Sequence, residues 1–102
     1  MRHTEFNWRG GRVDFWDLDQ IDRLLSVQEQ ASLLKEDLAQ IAYQNGAIID
    51  LGWFPSFSPA GEFVLSVIRE SDWVNPSGQW KPKTWLELVV TLNEAIAIAS
   101  RY

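Results

Sequence analysis

The chain has 102 residues, a length that accommodates one domain with one hydrophobic core. Its 46% hydrophobic and 23% charged residues are globular usage, which excludes a disordered chain. The absence of cysteine excludes disulfides, thiolate catalysis and the usual structural zinc sites, and a net charge of -5 disfavours DNA or RNA as a partner. We therefore expect a single domain over 1–102 that favours a basic partner.

The chain contains no apolar run of membrane-spanning length, which is about 18 residues. The first eight residues also lack the apolar segment of a signal peptide. These features predict a cytoplasmic protein with no membrane partner.

The first predicted element is a β-hairpin. Apolar residues alternate in 5–9 and 12–16, and Gly10-Gly11 between them suits a tight turn. Asp17 and Gln20 then predict a brief helix that ends at Leu25.

A longer helix is predicted over 27–44. Ser26 and Glu29 have the spacing of a capping box, and Asn45-Gly46 supplies a common helix end. Apolar residues between these signals step by three and four, at Val27, Ala31, Leu34, Leu38, Ile41 and Ala42.

Strands follow. The β-branched and aromatic residues of 47–54 predict one strand, and the alternation in 62–69 predicts a second, antiparallel to it. A short third strand at 79–81 is expected at a sheet edge, because Pro82 cannot donate to a ladder.

Thr84 and Glu87 form a second capping box, which predicts a helix from 84 to about 100. Its polar residues occupy only a narrow stripe, so we expect it to pack deeply or to form an interface. The predicted fold class is α+β, with a small antiparallel sheet packed against helices in the rough order β-β-α-α-β-β-β-α.

No catalytic or metal-binding constellation is evident. The single histidine, His3, has no neighbouring base or nucleophile pattern, and Gly10-Gly11 lacks the frame of a phosphate-binding loop. The acidic run Asp14, Asp17, Asp19 and Asp22 does not match a calcium loop, which leaves helix capping or an acidic docking patch as its role. We expect no enzymatic activity, no cofactor, no metal and no small-molecule substrate.

Six tryptophans are more than one small core readily buries, so we expect one or two at the surface. Tryptophan and tyrosine are prominent among residues that dominate protein interfaces. Composition therefore favours binding of another protein.

The middle of the chain resembles a family of small bacterial immunity proteins, which are encoded beside polymorphic toxins that include contact-dependent growth inhibition toxins. The residues that carry the resemblance are Gln30, 34–40 (LKEDLAQ), Tyr43, 49–55 (IDLGWFP), 61–63 (GEF), Val67-Ile68, Asp72-Trp73 and Pro76. The resemblance implies a cytosolic, non-enzymatic inhibitor that binds and neutralises a toxin, often a nuclease. It leaves open whether Lys35, Glu36, Asp37, Asp50 and Asp72 contact the toxin or hold the fold.

An acidic inhibitor suits such a toxin, since nucleases are basic where they grip phosphates. We predict that the cognate toxin domain contacts the 70–73 corner, the end of the first central strand with its loop, and the acidic run. The predicted contact residues are Glu70, Asp72, Trp73, Trp53, Phe57, Asp14, Asp17, Asp19 and Asp22. A small acidic adaptor or regulatory subunit is the alternative, and an enzyme that acts through carboxylates fits less well.

Overall fold

The computed structural model describes residues 1–101, which fold as five strands, one α-helix and two short 3₁₀-helices. The strands are β1 (Arg12–Trp16), β2 (Ala39–Ala42), β3 (Ile48–Phe54), β4 (Glu62–Ile68) and β5 (Gly78–Trp80), and the helix is α1 (Trp85–Ala99). The 3₁₀-helices are His3–Glu5 and Gln28–Leu33. The fold is α+β as predicted, with fewer helices than the sequence suggested.

All five strands form one antiparallel sheet in the order β1-β2-β3-β4-β5. The longest pairing joins β3 and β4, from Ile48 opposite Ile68 to Phe54 opposite Glu62. This confirms the two predicted central strands and their antiparallel pairing. The predicted edge strand is confirmed as β5, which pairs with β4.

Alternation along β3 and β4 places one set of side chains on a common face. Leu51 lies opposite Leu65, and Trp53 lies opposite Phe63. The Trp53 and Phe63 rings form an edge-to-face contact with their centroids 4.9 Å apart. Helix α1 packs on this face through its buried residues, which include Leu88. Burial of each such large apolar side chain contributes about 1.5–3 kcal/mol, so this layer is the main source of stability.

Helix α1 begins where the second capping box predicts. The Thr84 side chain accepts a hydrogen bond from the Glu87 amide at 3.1 Å, while the Glu87 carboxylate accepts one from the Lys83 amide at 2.7 Å. Leu86 and Val90 on its outer side are exposed, so the helix is not buried all round. No helix in the described chain is long and apolar enough to cross a membrane.

The predicted N-terminal hairpin is wrong. Its turn forms, with the Gly11 amide bonded to the Trp8 carbonyl at 3.1 Å, but 5–9 is not a strand and β1 pairs with β2 instead. Phe6 and Trp8 pack their rings against Trp16. The apolar residues before the turn therefore complete an aromatic cluster at the sheet edge.

The predicted helix over 27–44 is also wrong. The Ser26–Glu29 capping box forms, but it opens only the 3₁₀-helix, and the chain becomes extended at Leu34. Leu38 then bonds to both neighbouring strands: its amide donates to the Leu51 carbonyl, and its carbonyl accepts from the Asp17 amide. Sheet pairing on both sides outweighs the local preference for a helix.

The brief helix predicted to end at Leu25 is replaced by turns. Side chains from elsewhere hold this segment in place: Gln30 bonds to the backbone of Asp22, and the Trp85 indole donates to the Leu25 carbonyl at 2.8 Å. Leu18 and Ile21 still reach the core, as their apolar character predicts.

Candidate protein-binding surface

The sheet has a second face, opposite the one that packs on α1. Strand register places a row of side chains across this face: Phe15, Gln40, Asp50, Ser66 and Gln79. Two hydrogen bonds run along the row, from Gln79 Nε2 to Ser66 Oγ at 3.2 Å and, at the limit of bonding distance, from Gln40 Nε2 to Asp50 Oδ1 at 3.5 Å. We call this surface the open face, because α1 packs against the other side.

A β-bulge in β1 brings Phe15 to the open face. Val13 lies opposite Ile41, whose side chain is in the core, and the register then shifts so that Phe15 lies opposite Gln40. One extra residue in a strand reverses the facing of those that follow. As a result Phe15, which is 43% exposed, lies on the open face beside Gln40.

A close backbone contact positions Asp37. A Cβ atom on Gly52 would lie 2.0 Å from the carbonyl oxygen of Glu36, so the chain before β2 crosses directly over this glycine. The Lys35 carbonyl accepts a bond from the Trp53 amide at 2.9 Å, which fixes the crossing. Asp37 follows at once and reaches the open face next to Asp50.

These residues line a cavity of about 280 Å³ on the open face. Its lining consists of Phe15, Asp37, Ala39, Gln40 and Asp50, which we call the acidic cavity. One aromatic ring, one amide and two carboxylates are the kind of polar and aromatic set that recognises a cationic group.

The acidic cavity holds negative charge without a compensating cation. Ion pairs in residues 1–101 involve neither Asp37 nor Asp50. Burial raises the pKa of the Asp50 carboxyl, the hydrogen bond from Gln40 opposes this rise, and the charge of Asp37 adds to it. A cation in the cavity would therefore stabilise both carboxylates.

The titratable groups that line the acidic cavity are the two carboxylates of Asp37 and Asp50. Within residues 1–101 no group of three or more histidine or acidic side chains could hold a metal ion. Two carboxylates in one cavity, one with a raised pKa, are also an arrangement that acid-base catalysts use.

Trp53 does not lie at the surface, so this predicted contact is wrong. It is 1% exposed, and its Nε1 donates to the Ser58 carbonyl at 2.9 Å. The alternation of β3 turns Trp53 toward α1, on the same face as Leu51. Among the tryptophans, Trp73 is the exposed one, at 51%, which agrees with the expectation of one or two at the surface.

The remaining predicted residues do not form one patch. Phe57 follows β3 and is 53% exposed, whereas Glu70, Asp72 and Trp73 follow β4. Because β3 and β4 are antiparallel, these loops lie at opposite ends of seven paired residues, a span of about 20 Å.

The acidic run is largely engaged within the chain. Asp14 pairs with Arg12, and Asp17 pairs with Lys35 at 2.9 Å. Asp22 caps the following turn by accepting from the Leu24 amide, while Asp19 is exposed. These contacts favour a structural role for Asp14, Asp17 and Asp22.

At the 70–73 corner the backbone turns sharply. Glu70 and Ser71 have positive φ angles of 52° and 59°, and the Asp72 carboxylate accepts a bond from the Asn75 amide at 3.1 Å. Trp73 and Val74 project from this turn and are exposed. The corner is therefore an ordered turn with an exposed tryptophan, and none of its residues lines the acidic cavity.

The sequence interpretation missed Phe15 and Gln40 as site residues. Asp50 carried a readable signal, since it alternates with the buried Ile49 and Leu51 and must face the other way. Gln40 lies in the segment predicted as a helix, so the sheet face on which its side chain lies could not be predicted. Comparisons with protein-family models, curated proteins and solved structures found no match to this chain.

Proposed function

We propose that this protein is an immunity protein that binds and neutralises a cognate toxin domain, a basic nuclease, in the cytoplasm of the cell that produces it. It would thereby protect that cell from intoxication by siblings, as in contact-dependent growth inhibition. The proposal combines the resemblance of the middle of the chain to immunity proteins with the chemistry of its surface.

The observation that carries the proposal is the open face. It presents Asp37 and Asp50 without an ion-pair partner in residues 1–101, beside the exposed ring of Phe15. A protein surface with an acidic centre and an aromatic margin suits a basic protein partner, because charge steers the encounter and aromatic contact slows dissociation.

Charge over the whole molecule favours the same partner. The net charge is -5, so the protein attracts a basic domain at long range. A nuclease presents cations where it grips phosphates, and a carboxylate-rich surface can occupy that groove in place of nucleic acid. Inhibition by this route requires no chemistry from the inhibitor.

The test uses the toxin domain that this proposal expects to be encoded beside the gene for this protein. Cells that express the toxin domain alone should stop growing, and co-expression of this protein should restore growth. A catalytically inactive form of the same toxin should retain the protein on an affinity column. Growth arrest despite co-expression, with no retention on the column, would contradict the proposal.

An adaptor or regulatory subunit is the alternative, and the same column distinguishes it. Such a protein would leave the toxin unbound and would instead co-purify at defined stoichiometry with one host regulator.

A further inference from the structure

We infer that the acidic cavity takes one arginine side chain of a basic protein partner and is the central contact of the interface. The inference rests on the proposed function for the identity of the partner. The cavity itself can be tested with a simple cationic peptide.

The residues that line the acidic cavity match the chemistry of a guanidinium group. Asp37 and Asp50 supply carboxylate oxygens, and Gln40 Nε2 faces Asp50, so within residues 1–101 the Gln40 side-chain oxygen remains able to accept a further bond. A guanidinium carries five donors in a planar fork and can bond to several such acceptors at once. Lysine presents a compact charge and would use fewer of them.

Phe15 provides an aromatic surface on which a guanidinium group can stack. Phe15 lines the cavity and is 43% exposed, although an aromatic residue in a small domain is usually buried. A planar guanidinium stacks on an aromatic face, which adds attraction to the charge pairing. The β1 bulge between Val13 and Phe15 places the ring there.

Charge complementarity favours an arginine side chain in the cavity over a second copy of this chain or a metal ion. The lining residues include two acids and no cation. A second copy of this chain would also carry a net charge of -5, so the two copies would repel each other. A metal ion would need more ligands than these two carboxylates provide, since protein sites for hard cations use several oxygens.

The position of the cavity suits a central contact. Asp50 lies in β3, the middle strand of five, and Gln40 lies opposite it on β2. Residues that dominate binding lie near the centre of an interface in well-packed pockets from which water is excluded, and arginine is prominent among them. Sheet backbone holds these side chains in place before the partner arrives, which reduces the entropy lost on binding.

The experiment measures binding of an acetylated hexa-arginine peptide to the folded protein by NMR at low salt. We expect the largest amide shifts at residues 15, 37, 40 and 50, and weaker binding of a hexa-lysine peptide. The Asp37→Asn/Asp50→Asn variant removes two charges with nearly unchanged shape. It should weaken hexa-arginine binding about tenfold or more, since bonds to charged groups are strong.

A matched control removes the same charge elsewhere. Glu29→Gln/Glu94→Gln changes two exposed acids outside the cavity, and a glutamine at 29 can still serve the capping box. We expect it to weaken binding by less than about threefold, through net charge alone. Equal weakening by both double variants would overturn the inference.

Two further outcomes separate this inference from the proposed function. If the cavity variant neutralises the toxin as well as the wild type, the arginine contact is wrong while the function stands. If the peptide binds the cavity but no adjacent toxin is bound, the function fails while the cavity remains a guanidinium site. Should the double variant fail to fold, the exposed single variants Asp37→Asn and Phe15→Ala supply the same comparison.

Discussion

The carbonyl oxygen of Glu36 lies so close over Gly52 that a Cβ atom there would be 2.0 Å away. Only glycine leaves room for this crossing. The crossing delivers Asp37 to the open face and lets Leu38 begin its bonds to the sheet. One residue of β3 therefore determines both the local fold and the position of the acidic cavity.

Gly52→Ala should destabilise the protein by about 2 kcal/mol or more, because a backbone carbonyl cannot move aside cheaply. Gly78→Ala in β5 is the matched control, since the atoms nearest its Cβ would belong to the half-buried Trp80 side chain and not to the backbone. We expect that control to cost less than about 1 kcal/mol. Urea unfolding of both variants measures the difference, and equal losses would show that the crossing adapts.

Gln30 and Asp22 form a reciprocal pair. The Asp22 amide donates to Gln30 Oε1 and Gln30 Nε2 donates to the Asp22 carbonyl, both at 2.6 Å. Gln30 is buried, so Gln30→Ala should cost about 1–3 kcal/mol, whereas Gln28→Ala at an exposed position should change little. Thermal unfolding of the two variants tests this, and similar melting temperatures would argue against a structural role for the pair.

The buried hydroxyl of Tyr43 makes the stability of the protein depend on pH in the alkaline range. Its hydroxyl is buried with no hydrogen-bond partner in residues 1–101, and burial raises its pKa to about 12. The pKa of tyrosine in the unfolded state is about 10, so the unfolded state loses this proton at a lower pH than the folded state does. The free energy of unfolding therefore falls as pH rises from about 10 to about 12.

Tyr43→Phe should abolish that component of the fall, on the order of 2 kcal/mol, and should be neutral or slightly stabilising at pH 7. The measurement is urea unfolding of wild type and variant at several pH values between 7 and 11.5. Parallel curves for the two proteins over this range would contradict the prediction.

Association with the toxin should depend on salt. We expect the association rate to fall many-fold between low and physiological salt, because long-range charge steers the encounter.

If the 70–73 corner also contacts the toxin, Trp73→Ala should speed dissociation by a factor equivalent to about 2 kcal/mol, while Leu86→Ala on α1 should not. Surface plasmon resonance measures both rates, and a salt-independent association rate would exclude electrostatic steering.

The second half of the fold was predictable because its signals are local. Glycine and proline mark the turns around β4, and Thr84 with Glu87 marks the start of α1. The β-branched and aromatic residues of 47–54 and the alternation in 62–69 each predict a strand. Each signal can be read within a few residues, and the structure follows it.

The first half depends on contacts that are distant in sequence. Leu34, Leu38 and Ile41 are all buried, and their spacing by four and three also fits one face of a helix. Pairing with β1 and β3 selects the extended form instead. A period-two pattern exists only in the four residues of β2, too few to outweigh the helical pattern on either side.

The candidate site was predictable only in part. Asp50 follows from alternation, and Asp37 stood among the residues of the resemblance. Phe15 faces the cavity because of a bulge, and Gln40 because of a strand that the helical pattern concealed. Both depend on backbone geometry that composition and spacing do not encode.

Titration of the purified toxin domain is the most direct test that this protein is a toxin inhibitor. The toxin's nuclease activity is measured against increasing amounts of this protein, with each protein first assayed alone. We expect that this protein has no turnover of its own and that nuclease activity falls to zero near one equivalent. Undiminished nuclease activity in the presence of a large excess of the folded protein would contradict it.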